Sequence, residues 1–230
     1  MKLILFDIDG TLLSSNGAGR RAMEWALNAH FGTPGAPSYR YDGKTDRQIV
    51  RDQLRAAGVA DGDIDASLPS VEQTYLERLE FELSAPTARV TSYAGVFELL
   101  DALRPLADRV LGLLTGNLER GATVKLRAAG IDPAQFRVTA FGSDHEVRAE
   151  LPSIAQTRAR EQLGLDLVGE CLIIVGDTPA DIACGRPIGA RTIAVATGQY
   201  TVDDLARHDP AYVFADLSDT AAILAAIANA

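Results

Sequence analysis

The sequence has little cysteine, no clustered basic residues and no long apolar run. Two cysteines, Cys171 and Cys184, are too few for a disulfide framework or a thiolate metal cluster, so we expect a reducing compartment. No stretch approaches the roughly 18 apolar residues that a membrane-spanning helix needs. The opening MKLILFDIDG is too short an apolar run for a signal peptide, and it ends in acid. These absences predict a cytoplasmic protein without a membrane partner.

The balance of charges limits the kinds of binding partner that we expect. The chain carries 31 acidic residues against 22 Lys and Arg, for a formal net charge of -9. Nucleic acids and anionic membranes bind clustered Lys and Arg, so we expect neither as a partner. A local positive pocket on an acidic protein still admits a small anionic substrate. Nothing in the sequence indicates the oligomeric state.

Short apolar runs of strand length recur along the chain. Several are rich in Val and Ile without alternation, which is typical of strands buried on both faces of a parallel sheet. Segments with helical periodicity separate them from the second run onward, and glycines such as Gly130 and Gly164 follow predicted helix ends. This alternation predicts a doubly wound α/β sheet. The runs are residues 3–8, 110–115, 136–141, 171–176, 192–197 and 211–215.

The stretch between the first two runs breaks this rhythm. From about residue 15 to about residue 90 the pattern contains no good strand and three helical segments, at 17–31, 46–57 and 68–84. So much helix is too long for a crossover between neighbouring strands. We therefore predict an all-helical domain, residues 16–89, inserted into an α/β domain made of residues 1–15 and 90–230. Trp25 and Tyr75, which have apolar neighbours at helical spacing, are expected in the core of the insertion.

Two aspartates, Asp7 and Asp9, stand at the end of the first apolar run, in DIDGT. In a doubly wound sheet, ligands bind beyond the carboxyl ends of the strands. Two carboxylates this close repel each other, and a cation between them relieves the repulsion. Oxygen ligands suit Mg²⁺. Gly10 permits a turn that a Cβ atom would obstruct.

The segment GDTPAD, residues 176–181, repeats this theme after another apolar run. Asp177 falls at a second strand end, Thr178 is placed to cap the following helix, and Pro179 suits the first helical position. Asp181 then lies one turn into that helix, over the same cleft. The carboxylates of the two strand ends together predict a divalent-metal site.

The segment LLTGN, residues 113–117, supplies a place for an anion. Thr115 offers a hydroxyl at a strand end, and Gly116 and Asn117 offer backbone N–H groups that lead into a helix. Such an arrangement binds phosphate. Metal, carboxylates and a phosphate cradle together indicate phosphoryl transfer.

DIDGT, LLTGN and GDTPAD resemble motifs one, two and four of the haloacid dehalogenase (HAD) superfamily, in order and in spacing. The helical insertion is similar to the cap of the phosphoglycolate phosphatase and β-phosphoglucomutase branch, and YDGKTD (41–46) resembles the loop by which that cap reaches its substrate. The resemblance covers nearly the whole chain. It implies an Mg²⁺-dependent phosphatase acting on a small phosphorylated metabolite. A phosphomutase, a phospho-accepting receiver domain and a catalytically silent binding protein are the alternatives.

The resemblance also implies a role for each motif residue. Asp7 would be the nucleophile that forms an aspartyl-phosphate, and Asp9 the acid and base that serves the leaving group and then the attacking water. The expected magnesium site consists of Asp7, the backbone carbonyl of Asp9, Asp177 and, through a water, Asp181. The expected phosphate-binding groups are Thr115, Gly116 and Asn117. The residues expected to approach the leaving group are Lys44, Thr45 and Asp46.

One motif departs from the family pattern. The family usually places a lysine just before a proline at the start of the helix that precedes the fourth motif. Here Leu151 precedes Pro152, and the nearest basic side chain is Arg148. We expect Arg148 to replace that lysine and to bind the phosphoryl group.

Overall fold

The computed structural model describes residues 1–230 and contains eight strands. Six of them form an all-parallel sheet in the order β5-β4-β1-β6-β7-β8, and β2 and β3 form a separate antiparallel pair. All six predicted strands are confirmed, with ends that differ by one or two residues. The strands are β1 (Lys2–Phe6), β2 (Leu13–Ser14), β3 (Thr91–Ser92), β4 (Arg109–Thr115), β5 (Val138–Phe141), β6 (Leu172–Gly176), β7 (Arg191–Val195) and β8 (Tyr212–Phe214).

Helices cover both faces of the sheet. Leu3 and Leu5 of β1 face α6 and α7, whereas Ile4 and Phe6 face α4, α5 and α9, and all four side chains are fully buried. This double burial explains why the strand sequences do not alternate. The fold is therefore the predicted doubly wound α/β architecture. The helices are α1 (Ala18–Phe31), α2 (Asp46–Ala56), α3 (Asp61–Ser84), α4 (Val96–Leu103), α5 (Glu119–Ala128), α6 (Leu151–Leu163), α7 (Pro179–Cys184), α8 (Val202–Ala206) and α9 (Thr220–Asn229).

Helices α1, α2 and α3 form the helical cap and share an apolar cluster that also includes Leu118, at the start of α5. Helix α3 begins seven residues before the predicted start and contains Pro69. Ile64 and Val71, on either side of this proline, are both buried in the cluster, so packing outweighs the backbone hydrogen bond that proline removes. Tyr75 is buried as expected. The prediction for Trp25 was wrong: its side chain is 55% exposed, and the Arg78 guanidinium lies 4.4 Å from its ring centroid.

The sequence pattern missed the strands β2 and β3, which lie where the chain leaves the sheet domain and returns to it. Leu13 pairs with Ser92, and Ser14 pairs with Thr91. Two residues are too few to show any periodicity. This pair falls where the predicted α/β domain (1–15 and 90–230) meets the predicted helical insertion (16–89). The boundary itself remains a prediction. None of the helices combines the length and hydropathy that a bilayer crossing requires.

Candidate active site

Two adjacent strands, together with the helix that follows one of them, bring the predicted carboxylates together. Asp7 follows β1 and Asp177 follows β6, and β1 and β6 are adjacent in the sheet. Asp181, in the first turn of α7, is fully buried beside them. One carboxylate oxygen from each of these three residues lies within 4.8 Å of the other two. The local structure that presents Asp181 is the predicted one, since Thr178 caps the helix and Pro179 is its first residue.

The electrostatics of this cluster favour a cation. Burial raises the pKa of Asp7 to about 6, against the opposing effect of Arg148. Burial, followed by repulsion from Asp181 and Asp7, raises the pKa of Asp177 well above its usual range. A divalent cation would stabilise the ionised form of both carboxyls and so lower both pKa values. Hard cations prefer a donor set made only of oxygen atoms.

The Asp177 carboxylate is held in one place by its surroundings. The Thr11 hydroxyl donates to its Oδ1 at 3.0 Å. A Cβ atom on Gly10, whose φ is +85°, would lie 2.3 Å from Oδ2, and one on Gly198 would lie 1.8 Å from it. Both positions therefore require glycine. A carboxylate held in one position in this way is suited to the metal-binding role that the sequence predicts for Asp177.

Arg148 lies inside the site. It begins a 3₁₀ turn, Arg148–Glu150, that leads into α6, and its side chain is 6% exposed. Its Nη2 atom lies 3.1 Å from Asp7 Oδ2 and also donates a hydrogen bond to Asp181. Burial would lower the pKa of this guanidinium, but Asp181 and Asp7 more than offset that effect. Leu151, at the usual lysine position, is fully buried in the apolar core.

The end of β4 supplies polar groups on the other side of Asp7. Thr115 is fully buried, and its hydroxyl lies close enough to Asp7 to oppose the rise in the pKa of that carboxyl which burial causes. The Asn117 side chain donates from Nδ2 to Thr115 Oγ1 at 2.8 Å and to Asp9 Oδ2 at 2.8 Å. Gly116 must lack a side chain, because a Cβ atom there would lie 2.0 Å from the Lys44 carbonyl oxygen.

The cap loop meets the sheet domain through Thr45 and Asp46. Thr45 caps α2 by accepting from Gln48 N, and its hydroxyl donates to the Glu146 carbonyl at 2.6 Å. Asp46 N donates to the carbonyl of Gly116 at 2.8 Å. These contacts place the start of α2 directly on the loops that follow β4 and β5.

The side chains of Lys44 and Asp46 differ in their surroundings. The Asp46 carboxylate accepts from Leu118 N at 2.8 Å, and burial raises its pKa to about 6. Lys44 instead pairs with Asp52, at 3.3 Å, within the cap. Both residues line the cavity beside Asp7, whereas the Thr45 side chain is used as the cap of α2 and does not line it. The structure therefore brings two of the three predicted cap residues to the cavity, and the roles of all three stay predictions.

Sequence reasoning missed Lys125. Its side chain is 5% exposed, and its ammonium group lies 2.7 Å from Asp9 Oδ2 and 2.6 Å from Asn117 Oδ1. A signal existed, because Lys125 continues the apolar stripe of Leu118 and Ala122 at helical spacing. A lysine on the inner face of a helix needs a buried partner.

A cavity of about 270 Å³ separates Asp7 from the cap helices. Its walls are mostly polar. They include Arg20 and Tyr41 from the cap and Asp9 and Lys125 from the sheet domain. A molecule of metabolite size would fit here with one end against Asp7.

Comparison with known proteins gives a consistent relationship. The HAD-hydrolase-like family model matches residues 151–220. N-acetylmuramic acid 6-phosphate phosphatase of Pseudomonas aeruginosa is 30% identical, over 94% of this chain and 91% of that protein. Pyrophosphatase PpaX of Bacillus pumilus is 27% identical, over 97% of this chain and 96% of that protein.

A solved structure agrees at the level of the fold. A hydrolase from Pseudomonas syringae superimposes with a TM-score of 0.72 at 22% identity, covering 98% of each chain. The parallel sheet, the helical insertion and the full-length similarity lead to one conclusion: the chain belongs to the HAD-like hydrolase family.

Proposed function

We propose that the protein is an Mg²⁺-dependent phosphatase that hydrolyses a small phosphorylated metabolite through an aspartyl-phosphate. The observation that carries the proposal is the buried Asp7, which lies between the Arg148 guanidinium and the Thr115 hydroxyl at the end of the central strand. A carboxylate with donors on both sides is suited to attack a phosphoryl group whose oxygens need those donors.

In the first step an Asp7 oxygen bonds to phosphorus while the bond from phosphorus to the leaving oxygen breaks. Asp9 gives its proton to that oxygen, so the alcohol leaves neutral. Arg148 and Thr115 bind the equatorial oxygens as charge develops on them. In the second step Asp9 takes a proton from water, and the water oxygen bonds to phosphorus. The bond between phosphorus and the Asp7 oxygen breaks at the same time, which regenerates the Asp7 carboxylate and frees inorganic phosphate.

The carboxylates of Asp7 and Asp177, with Asp181 behind them, would hold Mg²⁺. When bound, the ion supplies positive charge that lowers the repulsion between a phosphate dianion and the carboxylates. Mg²⁺ suits this site better than a soft metal because every side-chain donor is an oxygen atom.

The relatives support hydrolysis more than isomerisation, since both curated relatives described above are phosphatases by name. The substrates in their names differ, so similarity does not select one metabolite. The polar walls of the cavity favour a substrate with hydroxyl or charged groups.

Release of inorganic phosphate from p-nitrophenyl phosphate, with and without Mg²⁺, tests the proposal. We expect Asp7→Asn to abolish turnover while the protein stays folded, because the amide is a poor nucleophile of nearly the same shape. Asp166→Asn, at an exposed position in the sheet domain, is the matched control. Activity of Asp7→Asn within about tenfold of wild type would contradict the assignment. Product analysis with a sugar phosphate separates phosphate release from the isomerisation that a phosphomutase would catalyse.

A further inference from the structure

Lys125 takes no part in the proposed reaction steps, although it lies in the site. It projects from α5 toward the end of the sheet, and its partners are Asp9 and Asn117. Gly19 of the cap closes over it: a Cβ atom at residue 19 would lie 3.2 Å from the Lys125 ammonium nitrogen. A buried lysine held this way has a fixed position and a fixed set of acceptors.

The contacts on Asp9 are one-sided. Lys125 Nζ and Asn117 Nδ2 both donate to Oδ2, at 2.7 and 2.8 Å. Neither of these groups accepts a hydrogen bond. A proton on Oδ2 would therefore face two donors, whereas Oδ1 has no such neighbour in the hydrogen-bond network. The Asp9 side chain is 41% exposed and lines the cavity, and Oδ1 is its oxygen without a protein donor.

Asn117 makes the arrangement rigid. Its Oδ1 accepts from Lys125 at 2.6 Å, which directs its Nδ2 toward Asp9 and toward Thr115. The three side chains Asp9, Asn117 and Lys125 thus form a closed ring of hydrogen bonds. Loss of Asn117 or Lys125 would free the Asp9 carboxyl to rotate.

We infer that Lys125 and Asn117 are positioning residues: they hold Asp9 by Oδ2, so that Oδ1 carries the proton that passes to the leaving oxygen. This inference rests on the proposed function, in which Asp9 is the acid. The transfer itself is unchanged: the Oδ1–H bond breaks as the bond between hydrogen and the leaving oxygen forms.

The test is the dependence of kcat/KM on the leaving group, measured with substituted phenyl phosphates of similar size. We expect Lys125→Met to lower kcat/KM for unsubstituted phenyl phosphate by about 10²-fold, in the range of a lost general acid. For p-nitrophenyl phosphate the loss should stay below about tenfold, because that leaving group departs without a proton. A loss confined to the substrates that need protonation is a change that simple destabilisation would not produce.

Arg120→Met is the matched control. Arg120 is on the same helix and also reaches the cap, through Glu80 at 2.7 Å, but it is not bonded to Asp9. The slope of log kcat/KM against the pKa of the leaving phenol should be that of the wild type. Asn117→Ala removes the other donor without removing a charge and should steepen the slope; it decides the matter if Lys125→Met does not fold.

Equal losses for all members of the series with Lys125→Met, or a steeper slope with Arg120→Met, would overturn the inference. Asp9→Asn separates this failure from failure of the proposed function. If Asp9→Asn steepens the slope and Lys125→Met does not, only the inference fails. If Asp9→Asn leaves the slope unchanged, the acid role of Asp9 fails with it.

Discussion

Replacing Arg148 by methionine would remove a cation from among three buried carboxylates while filling most of the same volume. The Nη2 atom lies 3.1 Å from Asp7 Oδ2. At that separation, with an effective dielectric constant of about 20, the Coulomb attraction is about 5 kcal/mol before the cost of desolvation. Buried pairs that lose one partner typically lose about 3–5 kcal/mol of stability. For a chain of this size we expect a fall in Tm of about 6–20 °C without metal.

Catalysis should suffer as well, for a different reason. Arg148 is positioned to donate to a phosphoryl oxygen during transfer, and loss of one such donor costs about 10²-fold or more in kcat/KM, about 3 kcal/mol. Mg²⁺ should restore much of the lost Tm, because it supplies positive charge to Asp7 and Asp177. It should not restore kcat/KM, because the ion does not replace the hydrogen-bond donor that the guanidinium of Arg148 supplies to the phosphoryl group. Arg148→Lys should recover only part of the activity. The lysine side chain is shorter, and its compact ammonium group cannot bridge Asp7 and a phosphoryl oxygen as a guanidinium can.

Thermal melts with EDTA and with Mg²⁺, together with kcat/KM on p-nitrophenyl phosphate, measure the two effects separately. Arg158→Met is the control. It removes an arginine from the neighbouring helix α6 that forms a paired contact with Asp144, at 2.6 and 2.7 Å, and leaves Asp7 untouched. A folded Arg148→Met enzyme with kcat/KM within about tenfold of wild type would refute the role assigned to the guanidinium.

Three further outcomes are expected. EDTA should abolish activity and Mg²⁺ should restore it. Ca²⁺ should inhibit, because it favours looser coordination. Full activity after exhaustive chelation would exclude the metal-dependent mechanism. Lys44→Ala should reduce kcat/KM for a cognate metabolite far more than for p-nitrophenyl phosphate, which needs little from the cap, and equal losses would argue against a role in specificity. The pKa of Asp46 is raised from 3.8 to about 6, so the folded state binds this proton more tightly and the wild type loses stability as pH rises from 4 to 6. Relative to Asp46→Asn, that loss should reach about 3 kcal/mol in urea melts, and parallel pH profiles would contradict it.

The sequence predicted those features that depend on neighbouring residues. Asp7, Thr115 and Asp177 each follow or end an apolar strand, and the carboxyl ends of adjacent parallel strands must meet. Arg148 was predicted by exclusion, because Leu151 could not provide a charge. The structure brings all of these residues into one site, and their chemical roles await the measurements above.

The features that were missed depend on contacts between distant segments. Lys125 resembles an ordinary helix lysine until Gly19 of the cap covers it. Trp25 has apolar neighbours in sequence, but its stabilising contact is Arg78 of another helix, at the surface. Pro69 normally marks the start of a helix, and only the packing of α3 against α1 explains why the helix continues through it.

The short β2–β3 pair has a consequence for how such proteins diversify. Because Ser14 and Thr91 are directly paired, the chain leaves the sheet domain and returns to it at neighbouring points. Everything between them is, topologically, one long hairpin loop. A gene could exchange, shorten or lose that loop without rerouting any strand of the sheet, since the two ends would still meet. Asp7, Asp177 and Arg148 would stay in place, while a new loop over the same carboxylates would select a different substrate.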